Sequence, residues 1–179
     1  MAGILDQMQE YSYSFNVKLL GVPQLSADEN AVQTSNLCVK IFNKMGANVS
    51  INDLDIAHRV STRSATREGP KPIVCKFTRR LARNEVMSLR KEACKINPEE
   101  IGLPQAEEIT NVRLVDHLTP RLQLLYADAK DFKSRYNFEF CWAKNATIFL
   151  RRSTNDRALK IRNSSDFTKL EQQEKSILT

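Results

Sequence analysis

The spacing of apolar residues switches repeatedly between a period of two and a period of 3.6 over the first two thirds of the chain, and that switching decides what can be built. Asn16-Val17-Lys18-Leu19-Leu20-Gly21-Val22 is short, apolar-rich and stopped by Pro23, so it reads as a strand. A helix follows: Asp28 or Asn30 can cap it, Cys38, Ile41, Phe42 and Met45 recur at helical spacing, and Gly46 suits a left-handed end. Residues 55–60 and 71–77 are the next two strands, joined by a polar, basic loop over 61–70. Thr78 is placed to cap a second helix reaching about Lys95, with Ala82, Val86, Leu89 and Ala93 on one face and Arg79, Arg80, Arg83, Arg90 and Lys91 turned to solvent. After an acidic connector over 98–108, Thr110 to Val115 reads as the fourth strand. The order β-α-β-β-α-β is that of the ferredoxin-like class, a two-layer α+β domain.

Beyond it, Thr119 and Pro120 mark a helix start, and Leu122, Leu125, Ala129 and Phe132 form a stripe that needs a partner. Residues 138–142 alternate, Lys144-Asn145-Ala146 supplies a turn, and 147–152 returns, together a hairpin laid on that helix. A helix from about Asn155, and another after Asp166, would close a small second unit of mixed α/β character. The expected divisions are an N-terminal tail over 1–14, the first domain over 15–116, the second over 117–170, and a polar tail over 171–179.

Charge is distributed unevenly. Residues 59–95 carry 11 basic and 3 acidic side chains, against 3 and 6 for residues 1–58, within a chain of formal charge +6. A concentrated positive segment attracts polyanions, nucleic acid above all; an ordinary solvated basic face is the bland alternative. No run approaches the roughly 20 apolar residues of a membrane span, and residues 1–15 do not read as a secretory signal, so an intracellular protein without a membrane partner is expected. Cys38, Cys75, Cys94 and Cys141 stand far apart and read as buried small hydrophobes or free thiols, with no metal and no cofactor implied. The chain has no phosphate-binding glycine loop, no nucleophile elbow and no zinc-protease pair, and neither His58 nor His117 has a neighbouring Ser or Cys in sequence, so an enzyme is not expected. His117, beside Asp116, reads as a hydrogen-bonded residue where the two units meet in sequence.

The succession Leu19-Leu20-Gly21-Val22-Pro23, Ile56-Ala57-His58-Arg59-Val60, Pro72-Ile73-Val74-Cys75-Lys76-Phe77, Leu118-Thr119-Pro120, Trp142-Ala143-Lys144-Asn145 and Ile148-Phe149-Leu150-Arg151 resembles the first-open-reading-frame proteins of LINE-type retrotransposons. It is similar also to the C-terminal domain of the baculovirus FP protein. The chain has Asp116-His117 where that pattern has Asn-Glu, and Ala146 where it has Gly, at a turn position that favours φ > 0. The resemblance implies an RRM-like domain and a small C-terminal domain that together bind single-stranded RNA or DNA and act as a nucleic-acid chaperone. It implies cytoplasmic ribonucleoprotein particles, or the nucleus, as the location, and a homo-oligomer formed through a coiled coil. Ile4, Met8 and Tyr11 have helical spacing over barely two turns, well short of such a coil. A non-enzymatic structural or protein-interaction module of a viral or ribonucleoprotein particle is the alternative.

An ordinary RRM stacks bases on aromatics of its first and third strands, but here those strands hold Leu19, Leu20, Ile73, Val74 and Cys75, with only Phe77 aromatic. Affinity is therefore expected from Lys and Arg on phosphates, a sequence-tolerant and salt-sensitive term. Arg59, Arg63, Arg67 and Lys71 border or fill the loop between strands two and three, where the family carries RNA-binding arginines. Arg79, Arg80 and Arg90 on the second helix and Arg113 on the fourth strand would extend the track, unless the helix residues are a solvated face paired with Glu85 or Glu92. Arg121, Lys133, Lys144, Arg151 and Arg152 would form a second basic wall, so that a strand is clamped between two surfaces. Trp142 either stacks a base, as a family aromatic nearby does, or packs in a core beside Phe138 and Phe140.

Overall fold

The computed structural model describes residues 2–61, 69–103 and 112–177. Helices alternate with antiparallel strands in two units, Tyr11–His117 and Met1–Glu10 with Leu118–Thr179, and the fold is α+β.

In the first unit β1 (Asn16–Leu20), α2 (Ala31–Lys44), β2 (Leu54–Arg59), β3 (Ile73–Phe77), α3 (Arg80–Ser88) and β4 (Arg113–Asp116) follow one another, after α1 (Ala2–Tyr13). The sheet order is β2-β3-β1-β4, with every adjacent pair antiparallel, which is the ferredoxin-like arrangement. Val17 and Leu19 of β1 face Cys75 and Ile73 of β3 and, with Leu114, join Leu37, Ile41 and Phe42 of α2 and Val86 of α3 in one core. Alternation therefore sends Lys18, Lys76 and Arg113 to the opposite face of the sheet. Asn30 caps α2 with a full capping box, its side chain accepting from the Gln33 amide at 2.9 Å while Gln33 accepts from the Asn30 amide at 3.0 Å. Gly46 ends that helix at φ +104, a conformation open to Gly at little cost.

Three local expectations need correction here. Thr78 does not cap α3: its hydroxyl donates to the carbonyls of Asn52 and Asp53, and the cap position falls to Arg79, which makes no side-chain cap. The helix also ends at Ser88 and tightens into a 3-10 stretch over Arg90–Lys95. Arg83 is not on the solvent side but 7% exposed, donating to the Asn16 carbonyl and paired with Asp116 of β4. Of the expected fourth strand, Thr110 and Asn111 lie outside the described residues.

The second unit contains α4 (Pro120–Arg135), β5 (Phe140–Lys144), β6 (Thr147–Arg151), β7 (Leu159–Ile161) and α5 (Ser164–Ile177). Thr119 accepts from the Leu122 amide and Pro120 occupies the first turn, so α4 starts where its sequence dictates. Its stripe of Leu122, Leu125, Ala129 and Phe132 is buried against Ile148, Leu150 and Ile161 of the three-stranded sheet β5-β6-β7, with Phe167 and Leu170 of α5 alongside.

Both terminal segments carry helix among the described residues. Residues 2–13 are helix α1 and residues up to Ile177 continue α5, while the helix expected from Asn155 is a bend followed by strand β7. Three residues pairing Ile161 with Ile148 and Leu159 with Leu150 extend the sheet and cover the core, which an isolated helical turn there could not do. No helix among the described residues is long and apolar enough to cross a membrane.

Candidate nucleic-acid interface

In an antiparallel sheet, residues directly opposite one another share a face. Register places Ala143, Ile148 and Ile161 in one row and Cys141, Leu150 and Leu159 in another, all turned toward α4 and α5. The rows between them face away: Phe140 opposite Arg151, Trp142 opposite Phe149 opposite Lys160, and Lys144 opposite Thr147. The outer face of this sheet thus carries three aromatic rings and three cations within three short strands.

The rings are ordered by contact. Trp142 and Phe149 stack at 5.2 Å between centroids with planes 11° apart. The Arg151 guanidinium lies 4.6 Å from the centroid of Phe140 and 5.7 Å from that of Trp142, a cation over two π-faces. Its Nε is buried and has no hydrogen-bond partner among the described residues. Trp142, Phe149 and Arg151 are half-exposed, and Lys144 and Lys160 are exposed. A half-exposed aromatic pair flanked by cations can take a base against a ring and phosphates on the cations.

Trp142 does not pack in the core. Phe138, which shares its parity, does: it precedes β5, and the bend at Glu139 breaks the alternation, so Phe138 turns inward against Phe132 while Phe140 and Trp142 turn outward. The turn of the hairpin has φ +50 at Asn145 and +56 at Ala146, the pair of positive angles that a two-residue hairpin needs.

Of the expected cations in this unit, Lys144 and Arg151 meet Trp142 on that face. Arg152 does not: it lies over Phe138 at 4.5 Å, pairs with Glu174 of α5 and donates to the Tyr136 carbonyl. Arg121 pairs with Glu10 at 2.6 Å and approaches Asp6 at 3.9 Å, and Lys133 stands on α4, away from the outer face. Phe140, Phe149 and Lys160 were not among the expected site residues. Their signal is register, which becomes legible only once the hairpin and β7 are paired.

In the first unit the expected track divides. Arg59 is committed internally, with its side chain 8% exposed: it pairs with Glu29 at 2.9 Å and donates to the carbonyls of Val22, Pro23 and Lys71. It is therefore corrected from a binding residue to a structural one. Burial pushes the Glu29 carboxyl up, but hydrogen bonds from Arg59, Thr34 and the Leu25 amide outweigh it and hold the group below its ordinary value. Arg79 pairs with Asp53 at 2.6 Å, Arg80 lies over the rings of Tyr11 and Phe15, and Arg90 donates to the Met87 carbonyl. These belong to the helix layer, whereas Arg113 is exposed on the other face of the sheet, so α3 and β4 do not form one track. Neither Glu85 nor Glu92 pairs with them: Glu85 accepts from the Asn48 amide and Glu92 from Lys95. Arg63 and Arg67 lie outside the described residues, and Lys71 is exposed.

The outer face of this first sheet has no aromatic side chain among the described residues at its central positions, which are Asn16, Lys18 and Leu20 of β1 and Val74 and Lys76 of β3. Phe77 is 1% exposed and packs on Phe42 in the core. Cys38 and Cys75 are buried, Cys141 is half-buried and Cys94 is exposed, all as free thiols. No group of three or more His, Cys, Asp or Glu among the described residues could hold a metal ion.

A search of curated proteins finds no match to the chain. The family described as Baculovirus FP protein domain 2 matches residues 119–171, less than a third of the chain. The match runs from the cap of α4 through all three strands of the second sheet into α5. The unit bearing the aromatic and cationic face is thus similar to that domain.

Proposed function

We propose that this chain is a non-enzymatic, sequence-tolerant binder of single-stranded RNA or DNA, acting as a nucleic-acid chaperone in a ribonucleoprotein particle of the LINE-type retrotransposon kind. The observation that carries the proposal is the outer face of β5-β6-β7, where Trp142 and Phe149 stack between Arg151 on one side and Lys144 and Lys160 on the others. Aromatic faces accept any base, and exposed cations accept any phosphate, so the two together bind single strands without reading sequence. A duplex keeps its bases stacked inside and offers such a face only its backbone. Lys71, Lys76 and Arg113 of the first unit add phosphate contacts of the same kind. Binding without base readout is compatible with the rapid exchange that annealing and strand transfer require.

Fluorescence polarisation of a labelled 25-nucleotide single strand, titrated at several salt concentrations, tests the reading. The expected log-log plot of affinity against salt has a slope of about −0.7 per phosphate contacted. Failure to bind at low salt would leave the particle-associated interaction module as the better account.

A further inference from the structure

Arg121 stands in the first turn of α4, beside the end of β7 and the tip of the hairpin. A polar pocket of about 230 Å³ opens there, lined by Glu10, Arg121, Arg162, Ala146 and Thr147 among others. Two arginines, Arg121 and Arg162, are among the residues that border it. Arg121 Nη1 donates to the Arg162 carbonyl at 3.2 Å, which fixes one arginine against the backbone of the other. The Arg162 amide donates to Asp166, while its side chain makes no hydrogen bond or ion pair with the described residues.

Two carboxylates already occupy this cationic corner. Asp6 and Glu10 are one turn apart on α1 and so share a face. Glu10 Oε1 lies 2.6 Å from Arg121 Nη2, and Asp6 Oδ2 lies 3.9 Å from Arg121 Nε. Glu10 lies in the last turn of α1, where the helix dipole disfavours negative charge and no basic residue of that turn offsets it, so Arg121 supplies the compensating charge. Thr147, on the pocket wall, is the strand partner of Lys144, so the pocket adjoins the rim of the aromatic face at the hairpin tip.

We propose that the Arg121/Arg162 pocket is a backbone-phosphate subsite of the single-strand interface, and that Glu10 on its wall, with Asp6 one turn away beside Arg121, competes for it intramolecularly. This rests on the single-strand-binding reading. A phosphate at the subsite takes the paired hydrogen bonds that Glu10 now receives, because carboxylate and phosphate oxygens satisfy the same guanidinium fork. The exchange is between two exposed or half-exposed ion pairs, so it is readily reversible.

The test is a polarisation titration of the full chain with a labelled 25-nucleotide oligouridylate. Asp6→Asn with Glu10→Gln is expected to tighten binding about fivefold at low salt and to steepen the salt slope by about 0.7, the signature of one additional phosphate contact. Adding Arg121→Gln to that pair should cancel both gains. Asp128→Asn with Asp131→Asn makes the same charge change on the exposed side of α4 and is expected to shift affinity by less than about twofold. Circular dichroism checks that the variants keep their helix content. If the parent binds and the α1 variant binds identically, or if the α4 control gains as much, the subsite is overturned while the function stands. If neither parent nor variant binds at low salt, the function itself falls and the subsite with it.

Discussion

Trp142 stacks on Phe149 across the β5–β6 pair, ring planes 11° apart, on the face of the sheet turned away from the core. A tryptophan held flat by a partner ring loses little further freedom when a base stacks on it. Trp142→Ala is expected to weaken single-strand binding by about 1–3 kcal/mol, roughly 5- to 150-fold, with the salt slope unchanged. Arg151→Gln, by contrast, should flatten the slope by about 0.7 as one phosphate contact is lost. Polarisation titrations over a salt series separate the two effects, and circular dichroism establishes that the hairpin persists. Equal flattening of the slope by both variants would contradict this division of labour.

Arg59 and Glu29 form a pair whose side chains are 8% and 0% exposed. Removing one partner strands a buried charge, so Arg59→Ala is expected to destabilise the first unit by about 3–5 kcal/mol. Denaturant melts measure that loss. In the temperature range where the variant remains folded, its affinity and salt slope for a single strand should match the parent's. A stable variant with weakened binding would return Arg59 to the interface.

Ala146 holds φ +56 in the hairpin turn, where a Cβ crowds the backbone. The left-handed conformation costs a non-glycine residue about 1–2 kcal/mol, offset in part by the greater freedom of glycine in the unfolded chain. Ala146→Gly should therefore raise stability by about 0.5–1 kcal/mol, visible as a higher melting temperature. A lower melting temperature would mean that the turn relies on the alanine methyl group.

His117 packs on Tyr13 at 4.4 Å between ring centroids, and Asn16 Nδ2 donates to its Nδ1 at 3.0 Å. Burial, then the nearby charges of Lys18 and His58, lower its pKa from 6.5 to about 4. The unfolded chain therefore takes up this proton before the folded one. The contribution to stability is complete above about pH 6.5 and is lost as pH falls toward about 4. Discounted for the partial exposure of the ring, the loss is about 1 kcal/mol. Melting curves of the parent and of His117→Gln between pH 7 and pH 4.5 should converge toward the acid end, the parent losing more. Parallel acid losses in the two proteins would refute this account of His117.

The first domain is legible in sequence because its strands alternate and its first helix carries both a cap and a stripe: Asn30 opens α2, and Ile41 and Phe42 are buried where helical spacing puts them. α1 was hidden because its apolar residues, Ile4, Leu5 and Met8, are exposed, so no buried stripe marks it. β7 is not legible in sequence because Leu159-Lys160-Ile161 is too short to display a period of its own and gains its strand identity from β6. On the candidate face, Trp142, Lys144 and Arg151 are legible from residue type and position, but their companions Phe140, Phe149 and Lys160 need cross-strand register. Arg59 misled for the opposite reason: a basic residue next to a basic loop resembles a ligand contact until Glu29, 30 residues away, is seen to hold it.

The chain contains one tryptophan, so its emission reports on position 142 alone. Full-length protein titrated with a single-stranded 25-nucleotide oligonucleotide, monitored by tryptophan emission and by polarisation of a labelled strand in parallel, tests base stacking on the outer sheet face most directly. The account predicts saturable quenching that follows the polarisation curve, and binding of heparin, a polyanion without bases, that leaves emission unchanged. Full binding of the oligonucleotide with tryptophan emission unaltered would contradict it.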